Sequence, residues 1–108
     1  MERLFEKEQV DDFIRQHSLN LLMLKTQNCS VCEAVQPKVD VLLERYEHIA
    51  GGFVYMEDVP ELAGEYMIFT SPVLLLLMEG KEVYRAARFI VFEELEDQLN
   101  RYQDFLQS

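Results

Sequence analysis

Two cysteines, Cys29 and Cys32, lie three positions apart where a short apolar run gives way to a helical pattern. Before them the apolar residues are consecutive, as in a buried strand, and after them apolar residues recur every three or four positions. A disulfide between such close residues constrains almost no chain, and a secreted domain held together by disulfides carries more cysteines. The pair therefore indicates a reactive or metal-binding site at a strand-to-helix junction.

The rest of the chain alternates between helical and extended patterns. Helices are predicted at 6–16, 30–48, 58–66 and 91–105, and strands at 20–25, 53–56, 73–78 and 82–87, with a very short edge strand at 3–5. The second helix contains Pro37, which should kink it, and Gly51-Gly52 is expected to end it. Strands joined through a helix pair in parallel, whereas the tight turn Glu79-Gly80-Lys81 requires an antiparallel pair. The order predicts an α/β fold with a mixed sheet of four to five strands and helices on both faces.

Length and charge exclude several classes of protein. A chain of 108 residues fits one domain, so residues 1–108 are predicted to form a single unit. The net charge of −10 disfavours nucleic acid and anionic membrane surfaces as partners. The charged N-terminal residues lack the apolar stretch of a signal peptide, which favours a cytoplasmic protein. The sequence has no glycine-rich phosphate loop, and no cofactor is expected.

The chemistry expected of the cysteines follows from the start of the helix. Cys29 faces unpaired N–H groups and the positive end of the helix dipole, and thiols so placed have pKa values from ~3.5 to ~7.5. Cys32 lies one turn further in, so Cys29 would attack a substrate disulfide and Cys32 would resolve the mixed disulfide. Two alternatives stay open, a pair of buried inert thiols and a zinc site. Zinc needs ~4 ligands, however, and His17 and His48 have no matching spacing, so no metal site is predicted.

Along nearly its whole length the chain resembles the thioredoxin family. The Cys-x-x-Cys pair opens a helix directly after a buried strand, Pro37 follows the second cysteine by five residues, and Thr70-Ser71-Pro72 immediately precedes the strand at 73–78. The resemblance implies a thioredoxin fold in which Pro72 is a cis-proline beside the cysteines and the backbone of Ser71 contacts substrate. It also implies a monomer of cell redox homeostasis that acts on disulfide-containing proteins or low-molecular-weight thiols and is recharged by a disulfide reductase.

Several residues depart from the family pattern. Asn28 stands where the family usually has a tryptophan, and Ser30-Val31 replaces the usual Gly-Pro. Met23 replaces a buried aspartate that assists proton transfer to the resolving cysteine, and the family's nearby lysine is missing from 53–56. Glu57-Asp58 offers a candidate replacement acid. These changes predict weaker catalysis, because a buried acid or base contributes ~10²–10⁴-fold to the rate.

Arg88 replaces a glycine that keeps the substrate groove of the family open. We hypothesise that its guanidinium lies near Cys29, lowers the pKa of that thiol further and attracts an anionic group on the substrate or a low-molecular-weight thiol. A guanidinium that faces solvent or pairs with a surface carboxylate is the alternative. The run Met67-Ile68-Phe69 is expected to help form an apolar rim beside the cysteines.

Two functions remain open at this point. In the first, the chain is a thiol–disulfide oxidoreductase with Cys29 as nucleophile, Cys32 as resolving thiol, and Ser71, Pro72 and Arg88 as substrate-binding residues. In the second, the fold is kept but efficient turnover is lost, and a reversible Cys29–Cys32 disulfide makes the protein a redox sensor or binding module.

Overall fold

A computed structural model describes residues 1–107. The elements run β1 (Glu2–Arg3), α1 (Lys7–Gln16), β2 (Leu19–Lys25), α2 (Ser30–Leu43), β3 (Ala50–Tyr55), α3 (Glu61–Glu65), β4 (Val73–Met78), β5 (Lys81–Ala87) and α4 (Phe92–Gln107). The strands form one sheet in the order β1-β3-β2-β4-β5. The pairs β1–β3 and β3–β2 are parallel, and β2–β4 and β4–β5 are antiparallel. The predicted mixed sheet is thereby confirmed at five strands.

Each face of the sheet carries its own apolar cluster, because successive side chains of a strand point to opposite faces. On one face, α2 and α4 pack over alternate residues of the two central strands; the cluster includes Leu21, Met23, Cys32, Val35, Val39, Leu74, Leu76, Leu95 and Leu99. On the other face lie α1 and α3; that cluster includes Val10, Phe13, Leu22, Leu24, Leu62, Leu75 and Leu77. Helices therefore cover both faces, as the alternation of elements predicted. No helix within residues 1–107 is long and apolar enough to cross a membrane.

The second helix ends earlier than its apolar pattern predicts. The pattern extends to residue 48, but α2 stops at Leu43, and backbone bonds from Arg45 to Leu42 and from Tyr46 to Leu43 form turns instead. Tyr46 and Ile49 are still buried, so apolar residues continue at helical intervals after the helix has ended. Here the sequence pattern reports burial rather than helical hydrogen bonding.

The prediction that Gly51-Gly52 ends this helix is wrong, because both glycines lie within β3. A Cβ atom built at Gly52 would lie 3.0 Å from Phe13 Cζ and 3.1 Å from Leu4 Cδ1. Glycine is required there for the close approach of α1 to the strand, not for a helix terminus. The other boundaries differ from expectation by a few residues, and the β4–β5 turn has positive φ at Glu79 and Gly80, as in a type I′ hairpin.

The close approach at Gly52 predicts a stability difference between two glycine substitutions. Gly52→Ala should lower the free energy of unfolding by about 1–3 kcal/mol, since Phe13 or Leu4 must shift to admit the methyl group. Gly64→Ala in α3, where a Cβ would meet nothing within 4 Å, should leave stability unchanged or raise it by up to about 1 kcal/mol. Urea unfolding of both variants measures the difference, and equal midpoints would contradict the packing at Gly52.

Candidate active site

The register of the sheet brings three chain segments together at one of its ends. Leu24, near the end of β2, lies opposite Val73 at the start of β4. Val73 in turn lies opposite Ala87 at the end of β5. The residues just after β2, just before β4 and just after β5 therefore meet, and these are the segments that contain Cys29, Ser71 and Arg88.

Cys29 is the N-cap residue of α2. The preceding Asn28 has a left-handed backbone with φ 56°, a conformation in which asparagine is enriched. Cys29 itself is extended, and its Sγ accepts a hydrogen bond of 3.2 Å from the backbone N–H of Cys32. The sulfur thus takes the place of the side-chain oxygen that normally caps a helix. Negative charge on this sulfur is stabilised both by the N–H donor and by the helix dipole.

The two cysteines differ in exposure. They form a disulfide with a Cα–Cα distance of 5.3 Å. Cys32 is fully buried, in the same cluster as Met23 and Leu74, whereas Cys29 is partly exposed at the helix start. An incoming sulfur can reach Cys29 only, so the pair is chemically asymmetric. No group of three or more His, Cys, Asp and Glu side chains in the described part of the chain is placed to hold a metal ion.

Ser71 contacts the reactive sulfur through its side chain. The Ser71-Pro72 peptide bond is cis, as the resemblance implies. The hydroxyl of Ser71 donates to Cys29 Sγ at 3.7 Å, and Ser71 Oγ and Thr26 Oγ1 are 2.8 Å apart. Sequence reasoning assigned a role only to the backbone of Ser71 and missed this hydroxyl, although a serine next to the predicted cis-proline was the available signal.

Arg88 also adopts a left-handed backbone, with φ 63°. Its backbone N–H donates to the carbonyl of Pro72 at 2.6 Å, and its Nη1 donates to the carbonyl of Ser71 at 3.4 Å. A non-glycine L-residue in this region costs about 1–2 kcal/mol. Arg88 and Cys29 share the lining of one cavity of about 220 Å³, whose other residues are Thr26, Asn28, Ser30, Val31 and Ser71.

The acid missing from the family pattern is not replaced by the adjacent carboxylates. Met23 is fully buried in its place. Glu57 Oε2 accepts from the backbone N–H of Gln27 at 2.9 Å, which ties down the turn before Cys29. Asp58 pairs with Arg3 at 3.3 Å. Both carboxylates are therefore engaged outside the buried surroundings of Cys32.

Lys25 is a buried cation that sequence reasoning missed. It ends β2 and is only 2% exposed, with its Nζ hydrogen-bonded to Gln36 Oε1 and 3.3 Å from Glu33 Oε1. The same Nζ lies 4.8 Å from the centre of the Tyr55 ring. These contacts fasten the first two turns of α2 to β2 and β3. A lysine at a strand end is usually exposed, but polar residues three positions apart on the facing helix were a signal.

The apolar rim has a different composition from the one predicted. Met67 and Phe69 are 64% and 87% exposed, whereas Ile68 between them is buried in the core and does not contribute. Phe89, which follows Arg88, is 78% exposed and was not anticipated. Exposed apolar side chains thus lie in the segments that lead into Ser71 and out of Arg88.

Comparison with known proteins finds similarity to thioredoxins and to a thioredoxin-like protein. No protein-family model matches the chain. The chain is 40% identical over 92 residues to the thioredoxin-like protein YdfQ of Bacillus subtilis, with 85% of this chain and 82% of that protein covered. It is 33% identical over 75 residues to a thioredoxin of Porphyra purpurea, covering 68% and 70% of the two chains.

Solved structures agree with the fold. The thioredoxin of Fasciola hepatica superposes with a TM-score of 0.83 at 22% identity, covering 94% of this chain and 98% of that one. A thioredoxin of Plasmodium falciparum gives a TM-score of 0.85 at 17% identity, covering 94% and 99%. At these identities the superpositions establish the arrangement of the helices and strands.

The hydroxyl of Ser71 predicts a measurable effect on the thiolate. In the reduced protein, Ser71→Ala should move the pH midpoint of thiolate formation at Cys29 upward by about half a pH unit to one unit. A hydrogen bond to a charged group contributes about 1.5–3 kcal/mol, the 3.7 Å separation places this bond at or below the low end of that range, and ~1.4 kcal/mol corresponds to one unit. Ultraviolet absorbance of the thiolate follows the titration. Ser30→Ala, in the same cavity, is the matched control and should leave the midpoint in place; an equal shift in both variants, or in neither, would contradict the assignment.

Proposed function

The chain belongs to the thioredoxin family, and from that premise we propose that it is a thiol–disulfide oxidoreductase with Cys29 as nucleophile and Cys32 as resolving thiol. The observation that carries this assignment of roles is the unequal setting of the two sulfurs. Cys29 is partly exposed and its Sγ accepts hydrogen bonds from the N–H of Cys32 and the hydroxyl of Ser71, while Cys32 is fully buried.

The first step is attack by the Cys29 thiolate on one sulfur of a substrate disulfide. The substrate S–S bond breaks, a new S–S bond joins Cys29 to one half of the substrate, and the other half leaves as a thiolate that takes a proton from water. The donors on Cys29 Sγ favour the thiolate before the attack. The partial exposure of Cys29 supports this order, since a large substrate cannot reach Cys32.

In the second step the sulfur of Cys32 attacks Cys29 Sγ and releases the remaining half of the substrate as a thiol. The dithiol has then lost two electrons and two protons, which the two product thiols carry, and the Cys29–Cys32 disulfide is formed. A Cα–Cα distance of 5.3 Å lies within the range that a disulfide requires. Because the buried Met23 cannot take the proton of Cys32, this step is expected to limit the rate.

Substrate binding is assigned to the groove around the cysteines. We propose that Ser71 and Pro72 align the substrate and that Arg88 supplies positive charge to the groove. For protein substrates, the exposed Phe69 and Phe89 supply apolar contact area on either side. The family implies disulfide substrates and a reductase that returns electrons to the pair.

The setting proposed for this chemistry is the cytoplasm, with the chain acting as a single-domain monomer in redox homeostasis. A dithiol that is recharged by a reductase needs a reducing compartment. The net charge of −10 favours solubility and disfavours nucleic acid and anionic lipid as partners.

Reduction of insulin disulfides by dithiothreitol tests the proposed activity. The wild-type protein should accelerate the reaction, and both Cys29→Ser and Cys32→Ser should lose turnover. When the reduced variants are mixed with insulin without dithiothreitol, only Cys32→Ser, which keeps the nucleophile, should accumulate a mixed disulfide with insulin, and dithiothreitol added afterwards should release it.

The controls separate an enzyme from a sensor. Absence of wild-type turnover above the dithiothreitol background, with the cysteine pair still cycling reversibly, would contradict the enzyme and favour a redox-dependent binding module. A mixed disulfide on Cys29→Ser but not on Cys32→Ser would reverse the two roles. If the roles are as proposed, the mixed disulfides that Cys32→Ser captures from cell extract will identify the physiological substrates.

A further inference from the structure

We propose that the cavity beside Cys29 is an anion subsite, and that the preferred substrates are disulfides of small thiols that carry a carboxylate. This inference rests on the proposed function and deepens it, since it names the class of substrate that the same cysteines act upon. Arg88 is the group that recognises the carboxylate.

The reactive sulfur and the guanidinium flank one residue. Ser71 Oγ contacts Cys29 Sγ at 3.7 Å, and the carbonyl of Ser71 accepts from Arg88 Nη1 at 3.4 Å. The cavity that both line measures about 220 Å³, which is below the ~300–1000 Å³ typical of sites for larger ligands. A short aliphatic thiol with one carboxylate fits this volume with its sulfur at Cys29 and its charge at Arg88.

Arg88 is the charged side chain among those that line this cavity, and the other lining side chains are neutral. Among residues 1–107, no carboxylate lies within 4.0 Å of its guanidinium. Arg85, on the preceding strand, shows the contrast, because its guanidinium is held by Glu82 at 2.8 Å. In a chain with 20 acidic and 10 basic residues, an arginine without a carboxylate partner beside the reactive sulfur is available for an external anion.

The backbone conformation of Arg88 is a second observation that favours a functional role for this residue. An arginine rarely adopts φ 63°, and glycine at this position would remove the strain. Strain held at a cleft is a reason to look for function there. Here the strained residue is the one that supplies charge to the cavity.

The contact between Arg88 and Ser71 favours small substrates over extended peptides. A peptide strand that paired with the carbonyl of Ser71 would have to share this acceptor with the guanidinium. A small disulfide leaves that contact in place and uses the remaining N–H donors, of which a guanidinium has five in all. Arginine suits a carboxylate because two parallel N–H bonds can form.

The reduction of a carboxylate-bearing disulfide follows the same two exchange steps as the proposed function. The Cys29 thiolate attacks the sulfur of the carboxylate-bearing half, a mixed disulfide with that half forms, and the other half leaves as a thiolate that is protonated by water. Cys32 then attacks Cys29 Sγ and releases the carboxylate-bearing thiol. Two electrons pass from the dithiol to the substrate, and dithiothreitol restores the dithiol in the assay.

A pair of probes that differ only in charge tests the inference. The reduced protein is reacted with 3,3′-dithiodipropionic acid and with its neutral diamide, and both rate constants are measured for each variant. Arg88→Gln should slow the reaction with the diacid by about threefold to fivefold, at the upper end of the range for exposed arginine–carboxylate pairs, and change the diamide rate by less than about twofold. Arg88→Lys should keep part of the preference for the diacid, because it retains the positive charge but not the two parallel N–H bonds.

Lys81→Gln is the matched control, since it removes an exposed cation from the β4–β5 hairpin and should change neither rate. The diamide rate also reports whether each variant is folded and whether its thiolate is intact. Equal slowing of both probes by Arg88→Gln, or no slowing of either, would overturn the anion subsite while leaving the oxidoreductase standing. Failure of the wild-type protein to react with either probe would overturn this inference, and the proposed function would fall with it only if the protein also failed to accelerate the reduction of insulin disulfides.

Discussion

Strand β2 is buried over its whole length, between helices on both faces and between strands β3 and β4 at its edges. A shift of this strand would open both apolar clusters, so the point at which it ends is fixed by the core. The turn at 26–28 then places Cys29 at the start of α2, and the register of β4 and β5 places Ser71 and Arg88 beside it. The chemistry of the site is therefore a consequence of the packing of the centre of the sheet.

The same packing makes the two cysteines unequal. One turn of helix carries Cys32 into the core, where it is buried with Met23, while Cys29 remains at the helix terminus and lines the cavity. Lys25 adds a second constraint, because its buried ammonium ties Glu33 and Gln36 of α2 to the end of β2. The groove differs from the usual thioredoxin groove in the cation that Arg88 supplies, which supports the proposal of a narrower set of substrates.

Sequence reasoning reached the element order, the mixed sheet and the cysteine site, because apolar periodicity reports burial and the cysteine and proline spacings identify the family. It failed where a residue's role depends on a neighbour distant in sequence. Gly52 is needed because Phe13 packs against it, and the hydroxyl of Ser71 matters because the sheet register brings it to Cys29. The burial of Lys25 likewise depends on rings from β3 that periodicity along one segment cannot reveal.

The unequal reactivity of the two thiols can be measured directly by brief alkylation. The reduced native protein is exposed to a limiting amount of iodoacetamide at neutral pH, and the modified peptides are quantified by mass spectrometry. Label should appear almost entirely on Cys29, with Cys32 modified only after unfolding, because Cys32 is fully buried. Label appearing on Cys32 in the native protein as fast as on Cys29 would contradict the assignment of nucleophile and resolving thiol.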